Sequence, residues 1–259
     1  MSGYVLPHQL RGEQRRLALM SELLDPPHRS LLKAVGLEPG WRCLEVGCGN
    51  GSISKWLSTE ATAGYVVATD LDTSYITDLH GRNLEVRPLN ILEAKVEQGE
   101  YDLVTARAVL HHLRDRQRAV GQMVTALKPG GVLLCVEPDM LPAAAAEPDS
   151  LQRFWQGWLK WSASAGIDYF LGRKMPGLLA GSGLQRVEAV GNTAIYNGGS
   201  PWATYWLETL NELRPKLLDS GFVSDESLRV VEQFYLDPNH WTSAITFVGA
   251  WGFKARERV

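Results

Sequence analysis

The sequence predicts an α/β fold: a mostly parallel sheet covered by helices on both faces. Three observations predict it. Between residues 41 and 139, short apolar runs alternate with helix-length segments over short connections, which calls for parallel strands joined by crossovers. A glycine-rich turn, Gly47-Cys48-Gly49-Asn50-Gly51, follows the first apolar run and opens a helix. An acid, Asp70, closes the second apolar run, where a nucleoside hydroxyl pair finds its acceptor in such folds.

The elements follow in order. Leu10, Leu17, Met20, Leu23 and Leu24 have helical spacing over 9–24, and Asp25-Pro26-Pro27 is expected to stop that helix before a second over 28–36. WRCLEV is the first strand and SISKWLSTEA the helix after the glycine turn. GYVVATDLD is strand two, TSYITDLHG is helix-like, LEVRPLN is strand three and YDLVTARAV strand four. RQRAVGQMVTALKPGG reads as a helix closed by Pro-Gly-Gly, and VLLCVEPD as strand five. Beyond Asp139 the alternation loosens. SLQRFWQGWLKWSAS is a helix, RKMPGLLAGSG and LQRVEAV a further helix and strand, and the stretches beginning at Trp202 and Asp225 two more helices. TSAITFVGAWGF is the last strand, giving seven in all. The expected organisation is one domain over 1–259. It comprises an N-terminal helical cap (1–36), a core (37–139), and helical lid insertions at 140–170 and 197–241 on the same sheet.

Composition narrows the partners. A net charge of −3 over 259 residues offers no basic stripe for nucleic acid or an anionic membrane surface. No apolar run approaches the roughly 20 residues that span a bilayer, and no secretory h-region precedes the first helix. The expected location is cytoplasmic. Cys43, Cys48 and Cys135 lie in apolar strand or turn contexts without metal-ligand spacing, so they read as structural, with no metal expected. Six of the nine tryptophans (Trp155, Trp158, Trp161, Trp202, Trp206, Trp241) fall between 150 and 245, joined by Tyr169, Tyr196 and Tyr205. Two readings stand open: core packing of a helical half, or an aromatic-walled ligand pocket with Trp158, Tyr169 and Trp206 on the substrate.

The glycine turn has G-x-G-x-G spacing, and Glu45 stands two residues before its first glycine. A carboxylate there repels a pyrophosphate and attracts an ammonium. The site therefore favours a ligand with a cationic amino-acid end and a neutral adenosine end.

LEVGCGNGSIS, VVATDLD, RPLNILEA, YDLVTARAVLHHL and LKPGGVLLCVEPD, in this order over 38–139, resemble the motifs of class I S-adenosylmethionine-dependent methyltransferases. The resemblance implies a Rossmann-like fold and S-adenosyl-L-methionine as cofactor, with S-adenosylhomocysteine as product. It places Glu45, Gly47 and Gly49 along the methionine part, Asp70 on the ribose, Leu71 beside adenine, and Asn90 and Ile91 around the adenine pocket. Arg107 joins the cofactor set. Tyr4, the Glu13-x-x-Arg16-Leu17 segment and Val248 to Trp251 resemble a bacterial subgroup with many small-molecule and natural-product enzymes; there Tyr4 and Arg16 are candidates to close over the cofactor.

Arg107 to Asp115 also resembles a motif of two-domain O-methyltransferases, K-W-I-L-H-D-W-S-D, at Leu110, His111 and Asp115. That similarity implies His111 as general base or acceptor-positioning group. His112 and Leu113 stand where the motif has Asp-Trp, and that family's extra N-terminal dimerisation domain is not expected. Strand alternation would aim His111 at the transferred methyl and turn His112 toward the next helix. Glu137 and Asp139, ending strand five, either bind a polar acceptor group or cap the next helix.

The expected function is methyl transfer from S-adenosylmethionine to a small organic acceptor, with O-methylation foremost. N- or C-methylation, and a cofactor-binding enzyme that does not transfer methyl, such as one assisting a rearrangement, stand as alternatives; a non-catalytic binding module is a third. The expected partners are the small acceptor and, at most, a second copy (monomer or homodimer), with neither nucleic acid nor membrane.

Overall fold

A computed structural model describes residues 12–93 and 95–256. Its main sheet holds β1 (Arg42–Val46), β2 (Tyr65–Asp70), β3 (Leu84–Pro88), β4 (Tyr101–Arg107), β5 (Leu127–Asp139), β6 (Gln185–Thr193) and β9 (Thr246–Phe253). The strand order is β3-β2-β1-β4-β5-β9-β6, parallel except for β9, which runs antiparallel to both neighbours. The predicted seven-stranded, mostly parallel sheet is what forms. Central strands are buried on both faces, so β4 reads as an almost continuous apolar run and not as an alternation. The chain passes to one side of β1 through β2 and β3, then to the other through β4. The crevice at the C-terminal ends of β1, β2 and β4 is therefore the switch point where such sheets take ligands.

The helices are α1 (Glu13–Ala34), α2 (Ser52–Glu60), α3 (Arg116–Ala126), α4 (Leu141–Ala144), α5 (Asp149–Ser164), α6 (Met175–Gly181), α7 (Pro201–Asp219) and α8 (Asp225–Leu236). A short pairing of β7 (Tyr196–Asn197) with β8 (Trp241–Thr242) lies outside the main sheet and was not expected. Among the described residues, no helix is long and apolar enough to cross a membrane.

Three local expectations are corrected. The first concerns α1, a single helix that runs through Pro26 and Pro27 where a stop was expected. Each proline removes one backbone donor, but the flanking turn is anchored sideways. Leu24, Asp25, His28 and Leu32 are buried, and His28 Nε2 lies 3.0 Å from the Thr105 hydroxyl of β4. The second is that residues 73–80 form turns and not a helix. The Asp72 side chain accepts from the Ser74 amide at 2.9 Å, and isolated turn bonds join Ile76 to Thr73 and Leu79 to Ile76; such side-chain acceptors compete with a helix start. The third is that Lys128-Pro129-Gly130-Gly131 belongs to β5, as α3 ends at Ala126. The β4–β5 register jumps from Tyr101↔Leu127 to Leu103↔Val132, and the intervening residues bulge out. A Cβ on Gly131 would stand 2.9 Å from the Tyr101 carbonyl oxygen, so only glycine fits there without displacing backbone.

The helices after β5 build their own layer. α5 packs on α8, α8 on α7, and α7 on α1. Between them lies an apolar cluster containing Phe154, Trp155, Trp158, Trp206, Leu210 and Tyr235.

Candidate functional site

The glycine turn adopts the geometry its residues permit. Gly47, Gly49 and Gly51 have φ of 72°, 57° and 73°, in the left-handed region that side chains disfavour. A Cβ on Gly47 would lie 2.2 Å from a Val109 methyl, so the turn also packs closely on the segment after β4. The amides of Gly47 and Cys48 donate to the Thr69 carbonyl at 2.8 and 2.9 Å, and the Gly49 amide donates to Asp70 Oδ2 at 2.8 Å. Asp70 thus holds the turn in place. A carboxylate has about four lone-pair sites; Asp70 uses the others only weakly, toward the Asp72 amide at 3.3 Å.

These residues line a cavity of about 300 Å³. Asp70, Leu71, Asn90 and Ile91 line it from the ends of β2 and β3; Glu45, Arg107, Val109 and His112 from β1 and the end of β4; Leu17, Met20 and Ser21 from α1. Of the expected cofactor set, Glu45, Gly47, Gly49, Asp70, Leu71, Asn90, Ile91 and Arg107 all meet here. Leu71 is half exposed, as a flat apolar contact for a ring would be, and the Asn90 side chain accepts from the Leu92 amide at 3.0 Å. Tyr4 lies outside the described residues. Arg16 does not line the cavity. It donates to both Glu13 carboxylate oxygens at 2.7 and 2.6 Å and reaches the Tyr205 hydroxyl at 3.5 Å, joining α1 to α7 in a buried pair.

Glu45 is buried and accepts from the Ser54 hydroxyl. Burial pushes its carboxyl up to about 7, against the opposing pull of Ser54 and the nearby Arg107. Arg107 donates to Asp25 Oδ1 at 2.8 Å, and Ser52 and Arg29 complete the partners of that carboxylate at 3.0 and 2.8 Å. The N-terminal helix was expected at the cofactor, but Asp25 and the lining residues Leu17, Met20 and Ser21 were not picked out. An acid beside two prolines looks like a helix stop, and the i, i+4 pairing with Arg29 was the only local signal.

The paired histidines occupy a 3-10 turn, Leu110–His112, reached through Ala108 at φ 55°. Strand alternation has ended by then. The expected orientation is corrected accordingly: His112 lines the cavity, and His111 is buried beside it with ring centroids 3.8 Å apart. His111 Nδ1 lies 2.8 Å from Glu137 Oε2. The backbone amides of Val109, Leu110 and His111 donate to the same carboxylate at 3.0, 2.8 and 3.2 Å. Burial pushes the Glu137 carboxyl up to about 7, against the pull of the three backbone amides; with Glu137 ionised, Nδ1 is the protonated ring nitrogen and Nε2 keeps its lone pair. Burial, reinforced by Arg116, lowers the His111 pKa far below the usual histidine value. Asp139 lies apart from this dyad and pairs with Arg173.

Trp158 and Trp206 do not wall an open pocket. Both are fully buried, with Trp155, in edge-to-face contacts at 4.7 to 5.9 Å between centroids. The core-packing reading describes them. Tyr169 differs: its ring lies between Trp158 (6.0 Å) and His111 (5.3 Å), and it borders a second cavity of about 290 Å³ with Arg116, Ser162 and Asp168. A chain of rings therefore links the first cavity, through His112 and His111, to the aromatic cluster. Cys43, Cys48 and Cys135 are buried free thiols; burial pushes all three up, Cys43 to about 12. Among the described residues, no cluster of three or more metal-ligating side chains exists.

Comparison with known proteins gives the arrangement a context. Residues 12–189 match the family described as a methyltransferase domain. The chain is 29% identical over 113 residues to the ubiquinone/menaquinone biosynthesis C-methyltransferase of Laribacter hongkongensis, covering 41% of this chain and 46% of that one. It is 34% identical over 118 residues to the ubiquinone biosynthesis O-methyltransferase of Xanthomonas axonopodis pv. citri, covering 42% and 48%. The matched stretch spans less than half the length of either relative. A candidate methyltransferase of Bacillus halodurans has the same fold, with a TM-score of 0.59 at 16% identity over 88% of this chain and 98% of that one.

Proposed function

The chain belongs to the methyltransferase-domain family, and from that premise we propose that it binds S-adenosyl-L-methionine in the first cavity and methylates a small organic acceptor. S-adenosylmethionine, when bound, supplies a sulfonium methyl open to in-line displacement and leaves as S-adenosylhomocysteine. The observation that carries the proposal is one cavity in which a left-handed glycine turn, the Asp70 carboxylate and the Glu45/Arg107 pair all face inward. The donor set fits the cofactor. Asp70 retains acceptor capacity for ribose hydroxyls, Leu71 and Ile91 offer apolar surface to adenine, and Glu45 offers a negative charge to an ammonium.

The acceptor is assigned to the side of the histidine pair away from the glycine turn. With Glu137 ionised, His111 keeps a lone pair on Nε2 and accepts a proton from a hydroxyl as the oxygen attacks; its burial behind His112 and its lowered pKa make it a weak base that the acceptor must reach past His112. This favours O-methylation, since a neutral amine brings its own lone pair. The two relatives are named for carbon and for oxygen acceptors, so the acceptor atom is an assignment from His111 alone. Positioning the acceptor in line contributes about 7–11 kcal/mol, and a general base about 10²–10⁴-fold. The 140–170 and 197–241 segments close over that side, with Tyr169 the aromatic ring nearest His111.

The test is incubation of the chain with methyl-labelled cofactor and a panel of phenols, amines and enolisable carbon acids. Label moving to a phenol or other hydroxyl acceptor is expected; label that stays on the cofactor while the acceptor rearranges would point to the non-transferring alternative. His111→Ala should lower turnover by about 10²-fold or more with S-adenosylhomocysteine affinity nearly intact. A loss confined to KM, largely restored in His111→Gln, would make His111 a positioning group.

A further inference from the structure

We propose that Asp25 fixes Arg107 so that its guanidinium takes the carboxylate at the amino-acid end of the cofactor, making this pair the element that selects ligands bearing an α-carboxylate. The proposal rests on the cofactor assignment above and goes one step beyond it.

The lining residues differ in charge along the sheet edge. Asp70, with neutral Leu71, Asn90 and Ile91, comes from the ends of β2 and β3. Glu45 and Arg107 come from the neighbouring β1 and β4, and the parallel register Val46↔Ala106 sets Arg107 alongside Gly47. An acid and a base on adjacent strands of one cavity suit a zwitterion: Glu45 toward an ammonium, Arg107 toward a carboxylate. An adenosine lacking its amino acid would leave both charges partly desolvated and unmatched, which is costly.

Arg107 is prepared for this role by α1. Its Nη1 donates to Asp25 Oδ1 at 2.8 Å, with both side chains about nine-tenths buried. Asp25 also accepts from the Ser52 hydroxyl at 3.0 Å and from Arg29 at 2.8 Å. One carboxylate therefore ties α1 to the start of α2 and to the end of β4. Each of its donors comes from a different segment, so the Arg107 fork cannot swing without releasing α1. Among the described residues the other fork nitrogens make no hydrogen bond, and a planar guanidinium held at one nitrogen presents the rest in a fixed direction. Bidentate capture of a carboxylate is the chemistry that geometry serves. Asp25 does not itself line the cavity, so it acts through Arg107 as a positioning residue.

Titration calorimetry on the full chain with two probes tests this. S-adenosylhomocysteine carries the amino-acid end; 5′-methylthioadenosine keeps the thioether and adenosine without it. The wild type should bind the first more tightly. Arg107→Gln and Asp25→Ala should each weaken S-adenosylhomocysteine by about tenfold or more, the worth of a hydrogen bond to a charged group. Both should leave 5′-methylthioadenosine within about twofold. The double variant should bind S-adenosylhomocysteine no more weakly than Arg107→Gln alone if Asp25 acts through Arg107 and not through its Ser52 tie to α2. Equal weakening of both probes by Asp25→Ala would assign it a structural role and overturn the proposal, as would additive losses in the double variant or no loss at all. Should Asp25→Ala not fold, Arg107→Lys keeps the charge without the fork. Selective weakening of S-adenosylhomocysteine there supports the assignment, and unchanged binding refutes it. A wild type that binds neither probe would instead remove the cofactor assignment itself.

Discussion

The glycine turn after β1 and the aromatic cluster under α5, α7 and α8 are connected by a row of rings, yet they are built in opposite ways. The turn is backbone and charge. Left-handed glycines, amides directed at Asp70 and Thr69, and a buried acid beside a guanidinium surround an open cavity. The cluster is side-chain volume, with Trp155, Trp158 and Trp206 fully buried in mutual edge-to-face contact. Its hydroxyls meet in the Tyr196–Tyr235 contact at 3.3 Å, while the indole nitrogens of Trp155, Trp158 and Trp206 are buried without a hydrogen bond. The difference teaches that aromatic density marks a dry core as readily as a binding wall. Backbone geometry with unspent acceptors is the better sign of a site.

Substitutions that separate stability from binding probe this contrast most directly. Trp155→Ala should cost about 3–5 kcal/mol of stability, the usual loss for a buried aromatic, in a denaturant titration. The fraction that remains folded should bind S-adenosylhomocysteine normally. If Trp155→Ala instead spares stability and abolishes acceptor turnover, the cluster is a binding wall and the contrast collapses.

Asp70→Ala should act the other way. S-adenosylhomocysteine binding should weaken by about 1.5–3 kcal/mol in calorimetry. Some of this loss comes through the Gly49 amide that Asp70 anchors. Unchanged affinity would remove Asp70 from the cofactor site.

A smaller effect is expected from Gly47→Ala. The left-handed backbone alone should cost about 1–2 kcal/mol, and the new Cβ must displace Val109. The variant should lose affinity as well as stability, whereas Gly99→Ala, at φ 66° with open space around it, should lose stability only. Thermal melts with and without S-adenosylhomocysteine distinguish the two.

The mildest test is pH. Burial pushes the Glu45 carboxyl up from an ordinary 4.5 to about 7, with Ser54 and Arg107 easing that penalty and Asp25 and Asp70 adding to it. S-adenosylhomocysteine affinity should therefore rise several-fold, on the order of a single charge interaction, between pH 6 and 8 as Glu45 gains the charge that attracts an ammonium. Glu45→Gln should flatten that rise. For the unliganded protein the sign is reversed. A raised carboxyl pKa stabilises the fold fully below about 4.5, and that contribution is lost as pH climbs through about 7.

Much of the first region was legible in the sequence. Gly47, Gly49, Asp70, Asn90 and Arg107 sit within a few residues of strand ends, and a strand, tight turn and helix specify their own local geometry. The strand sequence was legible for the same reason, as each run carries its own hydrophobic pattern. The misreadings share one physical cause. α1 continues through Pro26 and Pro27 because Asp25 and His28 find partners on Ser52, Arg107 and Thr105, 27 to 82 residues away. Residues 73–80 turn because Asp72 captures a backbone amide before a helix can start.

Local patterns in the chain specify the sheet, the glycine turn and the acid that anchors it, because backbone sterics and hydrophobic periodicity act over a few residues. Packing of the whole chain set which histidine meets the cavity, because Ala108 at φ 55° and the Glu137 carboxylate break the strand's alternation. It decided as well that Trp158 and Trp206 fill a core, since the volume between three helices belongs to none of them alone. And it brought Asp25 to Arg107, a contact across 82 residues of chain that no local pattern encodes.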